Sequence, residues 1–156
     1  MDESWNSLME FLPGQSQIFF RKLMKTVYIN TLLWLWSLVA LCAAAAHIAM
    51  PEWTAAGTNW ASSAHWQREI GYFDITLAAI FTWTARQPEL SLKRAAALLL
   101  CVLSLLLGEG HLEGWLQDAK IFHVLFATGN GLAALWSGVA FLSLPKNRQG
   151  AADSVR

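Results

Sequence analysis

Long apolar stretches broken by short polar ones set the pattern of this chain. From Thr26 to Met50 there are 25 consecutive residues without Asp, Glu, Lys or Arg, and Pro51 closes the run. About 20 apolar residues, each rising 1.5 Å along a helix, cross the hydrocarbon core of a bilayer, so this segment predicts a transmembrane helix. A second is predicted over residues 65–85, with Glu69 and Asp74 as its only acids. The third apolar stretch follows Lys93 and Arg94 and is uncharged only from Ala95 to Gly108. That is too short to cross alone, so a crossing over 93–114 must carry Glu109, His111 and Glu113 into the outer interface. The fourth, Ile121 to Pro145, again has 25 residues free of acids, Lys and Arg and predicts a helix over about 120–144. The fold expected is therefore all-α. It is a four-helix transmembrane bundle over residues 26–145, between an N-terminal segment (1–25) and a tail (146–156).

Basic residues orient the bundle. With the N-terminus inside, the cytoplasmic segments hold Arg21, Lys22, Lys25, Arg86, Lys93, Arg94, Lys146, Arg148 and Arg156, and only Arg68 and Lys120 fall outside. This bias is a positive-inside signal for cytoplasmic termini. The segment SQIFFRKLMK at 16–25 mixes apolar and basic residues. It fits an interfacial helix along the inner surface and equally an extension of the first span. Pro13 and Gly14 mark a turn before it. Asp2 and Glu3 open the chain without a basic, then apolar, leader, so no cleavable signal peptide is expected. The loop 51–63 has no basic residue, as suits a translocated segment, and the short polar tail is expected to be disordered.

Composition reinforces the membrane assignment. Apolar residues make up 55% and charged residues 14%, where a soluble domain carries about 25% charge. A net charge of zero gives no basis for nucleic-acid binding. The expected surroundings are the lipid bilayer, with membrane-protein partners or a second copy as candidates within it. Trp53, Trp60, Trp66 and Trp115 fit an outer aromatic belt. Cys42 and Cys101 lie in apolar runs and read as small buried hydrophobes.

Topology then gathers the histidines. His47, His65, His111 and His123 fall one per span, all toward the outer face, with Glu69, Glu109, Glu113 and Asp118 near the same level. Ionisable groups within a span cost about 2.5–3.5 kcal/mol each and usually face the bundle interior with a partner. His65, Glu69, Tyr72 and Thr76 share one helix face, and His123, Asn130 and Ser137 recur every seven residues. Two such stripes facing each other would make an outward-opening pocket of His65, Glu69, Tyr72, Asp74, Glu109, His111, His123 and Asn130.

Three chemistries fit such a pocket. A divalent metal could take His65, Glu69, His111 and His123, since bundle cores hold metals through His and carboxylates. Against this, no H-E-x-x-H or C-x-x-C motif is present. Haem could sit between His47 and His123 beside the Ala43–Ala46 run, but the inner half has no histidine to continue an electron path, so haem ranks below metal. A quinone, small molecule or proton could use Glu69, Asp74 and Asn130. The plainer explanation for any one of these residues is a hydrogen bond that fixes helix register. Gly71, Ala78 and Ala85, and likewise Ala127, Gly131 and Ala134, read as close-packing faces.

Arg-Glu-Ile-Gly-Tyr-Phe-Asp at 68–74, Gly-Glu-Gly-His at 108–111 and Asn130 together resemble small four-helix bacterial inner-membrane proteins of the DoxX-like kind and related uncharacterised families. The resemblance covers roughly residues 65–143. It implies a four-helix bundle in the bacterial inner membrane and carries no assigned chemistry. The leading functional expectation is a small accessory, non-catalytic membrane protein with a polar pocket on the periplasmic side. The alternative is a membrane oxidoreductase subunit binding metal, haem or quinone there. A small transporter comes third, because Gly108-Glu109-Gly110 is the only apparent break in a helix.

Overall fold

The computed structural model describes residues 14–59 and 63–144, and every regular element among them is helical. Helix α1 runs Gly14–Ala49, α2 Pro51–Ala56, α3 Ala64–Arg86, α4 Leu90–Gln117 and α5 Ile121–Ser143. Local chemistry sets the breaks. Met50 leaves the helical region ahead of Pro51, which opens α2 at a position where its missing N–H is harmless. Ser63 caps α3 by accepting a hydrogen bond from the Trp66 amide. Gln87 is extended ahead of Pro88, as a residue before proline prefers, and this ends α3.

Several boundaries differ from the sequence expectation. The segment 16–25 continues α1 without a break, so the interfacial-helix alternative gives way to the extension. The loop expected over 51–63 contains the short helix α2. Gly108 and Gly110 lie inside a continuous α4, so the apparent helix break is not there. Neither glycine has positive φ. The tail 146–156, Pro13 and Trp60 lie outside the described residues.

Three helices, α1, α4 and α5, are long and apolar enough to cross a membrane. The 23-residue α3 is not among them. It carries Arg68, Glu69, Asp74 and Arg86, and this charge offsets its apolar content. Large apolar side chains face outward along the long helices, among them Phe73, Leu116, Leu135 and Leu142.

The bundle is built from two antiparallel pairs. α1 packs chiefly on α3, and α4 chiefly on α5, with sparser contact between the pairs. Gly71, Ala78 and Ala85 are all buried against α1, as their spacing predicts. A Cβ on Gly71 would stand 2.6 Å from Ile48 Cγ1 and 3.2 Å from the Ala44 carbonyl oxygen. Ser37 of α1 binds across to α3, lying 3.0 Å from the Ala78 carbonyl and 2.6 Å from the Thr82 hydroxyl. The companion face on α5 is met in part, with Ala134 buried and Ala127 half-buried. Gly131 is exposed, and the buried small residues are Ala133, Ala134, Ser137 and Ala140.

The pairs join at both ends. At one end Ile29, Leu32, Leu33, Phe81, Ala85, Ala97, Leu100 and Ala140 form a common core from all four long helices. Lys93 is buried within it at 2% exposure, donating to Asn30 Oδ1 (2.5 Å) and to the Ala85 carbonyl (3.0 Å). Nearby, Arg94 Nε donates to the Phe141 carbonyl and its guanidinium lies over the Phe141 ring. Two basic residues thus satisfy carbonyls in the last turns of α3 and α5, where the helix dipole favours positive charge. At the other end, the segment after α1 reaches over α5. Trp53 meets Phe122 edge-on at 4.7 Å, and Gly57 packs so closely on Phe122 that a Cβ would overlap the ring.

Candidate functional site

The polar seam at this second end starts from His123, in the first turn of α5. It is fully buried. Gly114 of α4 makes room for it, since a Cβ there would fall 2.5 Å from the imidazole Cε1. Asn59 holds the ring from the other side, with Oδ1 2.7 Å and its backbone nitrogen 3.2 Å from Nε2. The Asn59 amide also donates to the Gly114 carbonyl and to Gln117 Oε1. The opposite imidazole nitrogen, Nδ1, lies 3.2 Å from Nδ1 of His111 on α4. His111 in turn packs against Phe126, with ring centroids 5.0 Å apart.

His47 of α1 brings the other helix pair to this seam. Its Nδ1 donates to Gln67 Oε1 on α3 at 2.5 Å, and Thr54 Oγ1 of α2 reaches the same oxygen at 3.0 Å. His47 is close enough to interact electrostatically with both His111 and Asp74. Asp74 is half-buried, and its Oδ2 is buried with no hydrogen-bond partner among the described residues. Buried polar atoms are nearly always satisfied, and an unpaired one costs about 1–3 kcal/mol, more if charged. Imidazoles and a carboxylate in this setting can exchange protons, ligate a cation or orient a polar ligand.

The remaining predicted residues stand elsewhere. His65 Nε2 lies 3.0 Å from Glu69 Oε1 one turn away, on an outward face where the two side chains are 82% and 42% exposed. Tyr72 and Thr76 continue that exposed face, and Glu109 is exposed on α4. The α3 stripe therefore does not face the α5 stripe as expected; α3 turns its small-residue face to α1 instead. Asn130 is partly buried, with its amide donating to the Phe126 carbonyl of its own helix, and its Cβ lies against Gly108. His65, Glu69, His111 and His123 thus form two separate pairs, and no three His, Cys, Asp or Glu side chains converge as metal ligands among the described residues. For haem, His123 would have to leave both Asn59 and His111 to become an axial ligand. Two open apolar grooves of about 470 and 500 Å³ run along α4/α5 and α1, and neither is lined by a predicted pocket residue.

Asn59, Gln67 and Lys93 were not picked out from sequence. Asn59 and Gln67 are neutral, so they carry no insertion cost to draw attention. Lys93 read as one more cytoplasmic charge at a helix start. The sequence matches no protein-family profile, no curated protein and no solved structure. The DoxX-like resemblance accordingly rests on its short motifs alone.

Proposed function

We propose that this chain is a four-crossing protein of the bacterial inner membrane with both termini in the cytoplasm. It acts as a small accessory, non-catalytic bundle whose outer half holds a small polar ligand in the seam between its helix pairs. The bacterial setting follows the motif resemblance. The orientation follows the basic residues, and Lys93 and Arg94 at the ends of α3 and α5 fit a cytoplasmic face. With α1, α4 and α5 crossing, α3 must cross too if the short connections at 87–89 and 118–120 are to keep the antiparallel pairs together.

One observation carries the ligand reading: Asp74 keeps a buried oxygen without a hydrogen-bond partner among the described residues, within electrostatic range of His47. A neutral residue would be cheaper at this depth, and a carboxylate serving only to fix register would be hydrogen-bonded. The test is Asp74→Asn in protein purified from its native membrane. The reading predicts unfolding at the same temperature or higher, with loss of the ion or small molecule that copurifies with wild type. A variant less stable by more than about 1 kcal/mol with unchanged bound content would make Asp74 a structural group and overturn the reading.

A further inference from the structure

Helix α1 is longer than a crossing needs. Its 36 residues have no proline, and no glycine after the first position. They rise about 54 Å at 1.5 Å each, against about 30 Å of hydrocarbon. The excess lies at the N-terminal end. Arg86, the last residue of α3, reaches over the Trp34 ring, so α1 from Gly14 onward overruns its partner helix. Phe20, Leu23 and Met24 are exposed on this overrun.

We propose that the outward face of α1 pairs with the same face of a second copy of this chain, as a parallel two-stranded coiled coil. Phe20, Met24, Val27, Thr31, Trp34 and Leu38 are spaced alternately four and three residues apart, and the spacing continues through Leu41 and Ala45. That alternation is the heptad repeat of a coiled-coil seam. Every one of these positions is exposed. The α1 residues buried in the bundle, Ile29, Leu32, Leu33 and Ala40, fall at the heptad positions on the opposite side. One helix thus carries two apolar faces, and only one is used within the chain.

Symmetry, charge and area fit a second copy. All copies insert the same way round, so a two-fold axis along the membrane normal makes the pair parallel and closes it. Across such a pair the flanking positions that meet are Ser16 with Arg21, Leu23 with Tyr28 and Asn30 with Leu35, so no like charges oppose each other. Lys22 and Lys25 fall on the bundle side of the helix. Large side chains along the stripe and its flanks are between 38% (Tyr28) and 61% (Met24) exposed. Together they present on the order of 1,000 Å² per chain, where a standard interface takes about 800 Å² from each partner. Val27, Thr31, Trp34 and Leu38 also line the groove of about 500 Å³ on α1, which leaves room for side chains of the facing helix. Within lipid, pairing gains packing alone. On the overrun, Phe20, Leu23 and Met24 leave water as well, so hydrophobic burial adds to it. The pairing is independent of whether Asp74 on α3 holds a ligand.

The experiment places single cysteines at Phe20, Met24, Val27 and Thr31, with Lys22 and Lys25 as exposed positions off the stripe, in protein with Cys42 and Cys101 replaced. Oxidation in the native membrane should give disulfide-linked dimers at the four stripe positions and not at 22 or 25. Light scattering in detergent should find two chains per particle. Met24→Glu combined with Val27→Glu sets like charges opposite each other and should shift the particle to one chain. The cysteine scan decides the matter if detergent separates the copies or the double variant does not fold. Equal crosslinking on and off the stripe, no crosslinking at any position (as lipid alone on this face would give), or a different polypeptide crosslinked in place of the copy overturns the pairing.

Discussion

Lys93 shows what a single side chain does in this protein. Its ammonium sits in the core on two neutral acceptors contributed by α1 and α3, while its own backbone belongs to α4. Replacing it removes a bridge among three helices and leaves Asn30 without its partner. Lys93→Ala is expected to lower stability by about 2–4 kcal/mol, and Lys93→Met, which keeps the stem's volume, by less; thermal unfolding in detergent reads both. Equal losses for the two would mean that the ammonium's hydrogen bonds, and not the stem's packing, are what matters, whereas no loss for Lys93→Met would assign the whole effect to the stem. Gly114 makes the complementary case at the other end. Gly114→Ala places a methyl against the His123 ring, so a loss of about 1–3 kcal/mol is expected, together with release of Asn59. A Gly114→Ala protein as stable as wild type would show that the ring moves aside without cost.

At the scale of the helix, the two antiparallel pairs depend on close approach at particular positions. Gly71→Val drives side-chain carbons into Ile48 and the Ala44 carbonyl and should separate α1 from α3, at about 1–3 kcal/mol. Gly129→Ala meets nothing within 4 Å and should gain up to about 1 kcal/mol from helix propensity alone. The contrast between these variants, measured by the same unfolding assay, tests whether the packing is as described. Helix existence and the close-packing edge of α3 were legible in sequence, because uncharged runs and small residues seven apart leave a strong periodic signal, although α1 as the neighbour of that edge was not. Which way the polar stripe of α3 faces was not. Its His65–Glu69–Tyr72 spacing fixes a face but not a neighbour, and burying Gly71, Ala78 and Ala85 on α1 turned that face outward. The histidine pairing needed chain reversals at 118–120 and the return of Asn59 over α5, neither of which periodicity encodes.

At the scale of the whole molecule, two helix pairs are fastened at one end by Lys93 and an apolar core, and at the other by Asn59, Phe122 and His123. The polar seam of His111, His123 and His47 lies at the second of these ends, beside the Asn59 and Phe122 contacts. Everything about which side that seam faces rests on α3 crossing the bilayer, although it is the least apolar of the long helices. The most direct measurement uses single cysteines at Thr58 and Gln87, on either side of α3, in a protein with Cys42 and Cys101 replaced. A membrane-impermeant maleimide applied to intact spheroplasts should label position 58 at once and position 87 only after the membrane is opened. Labelling of both positions, or of neither, before opening would place them on one side and contradict the four-crossing account.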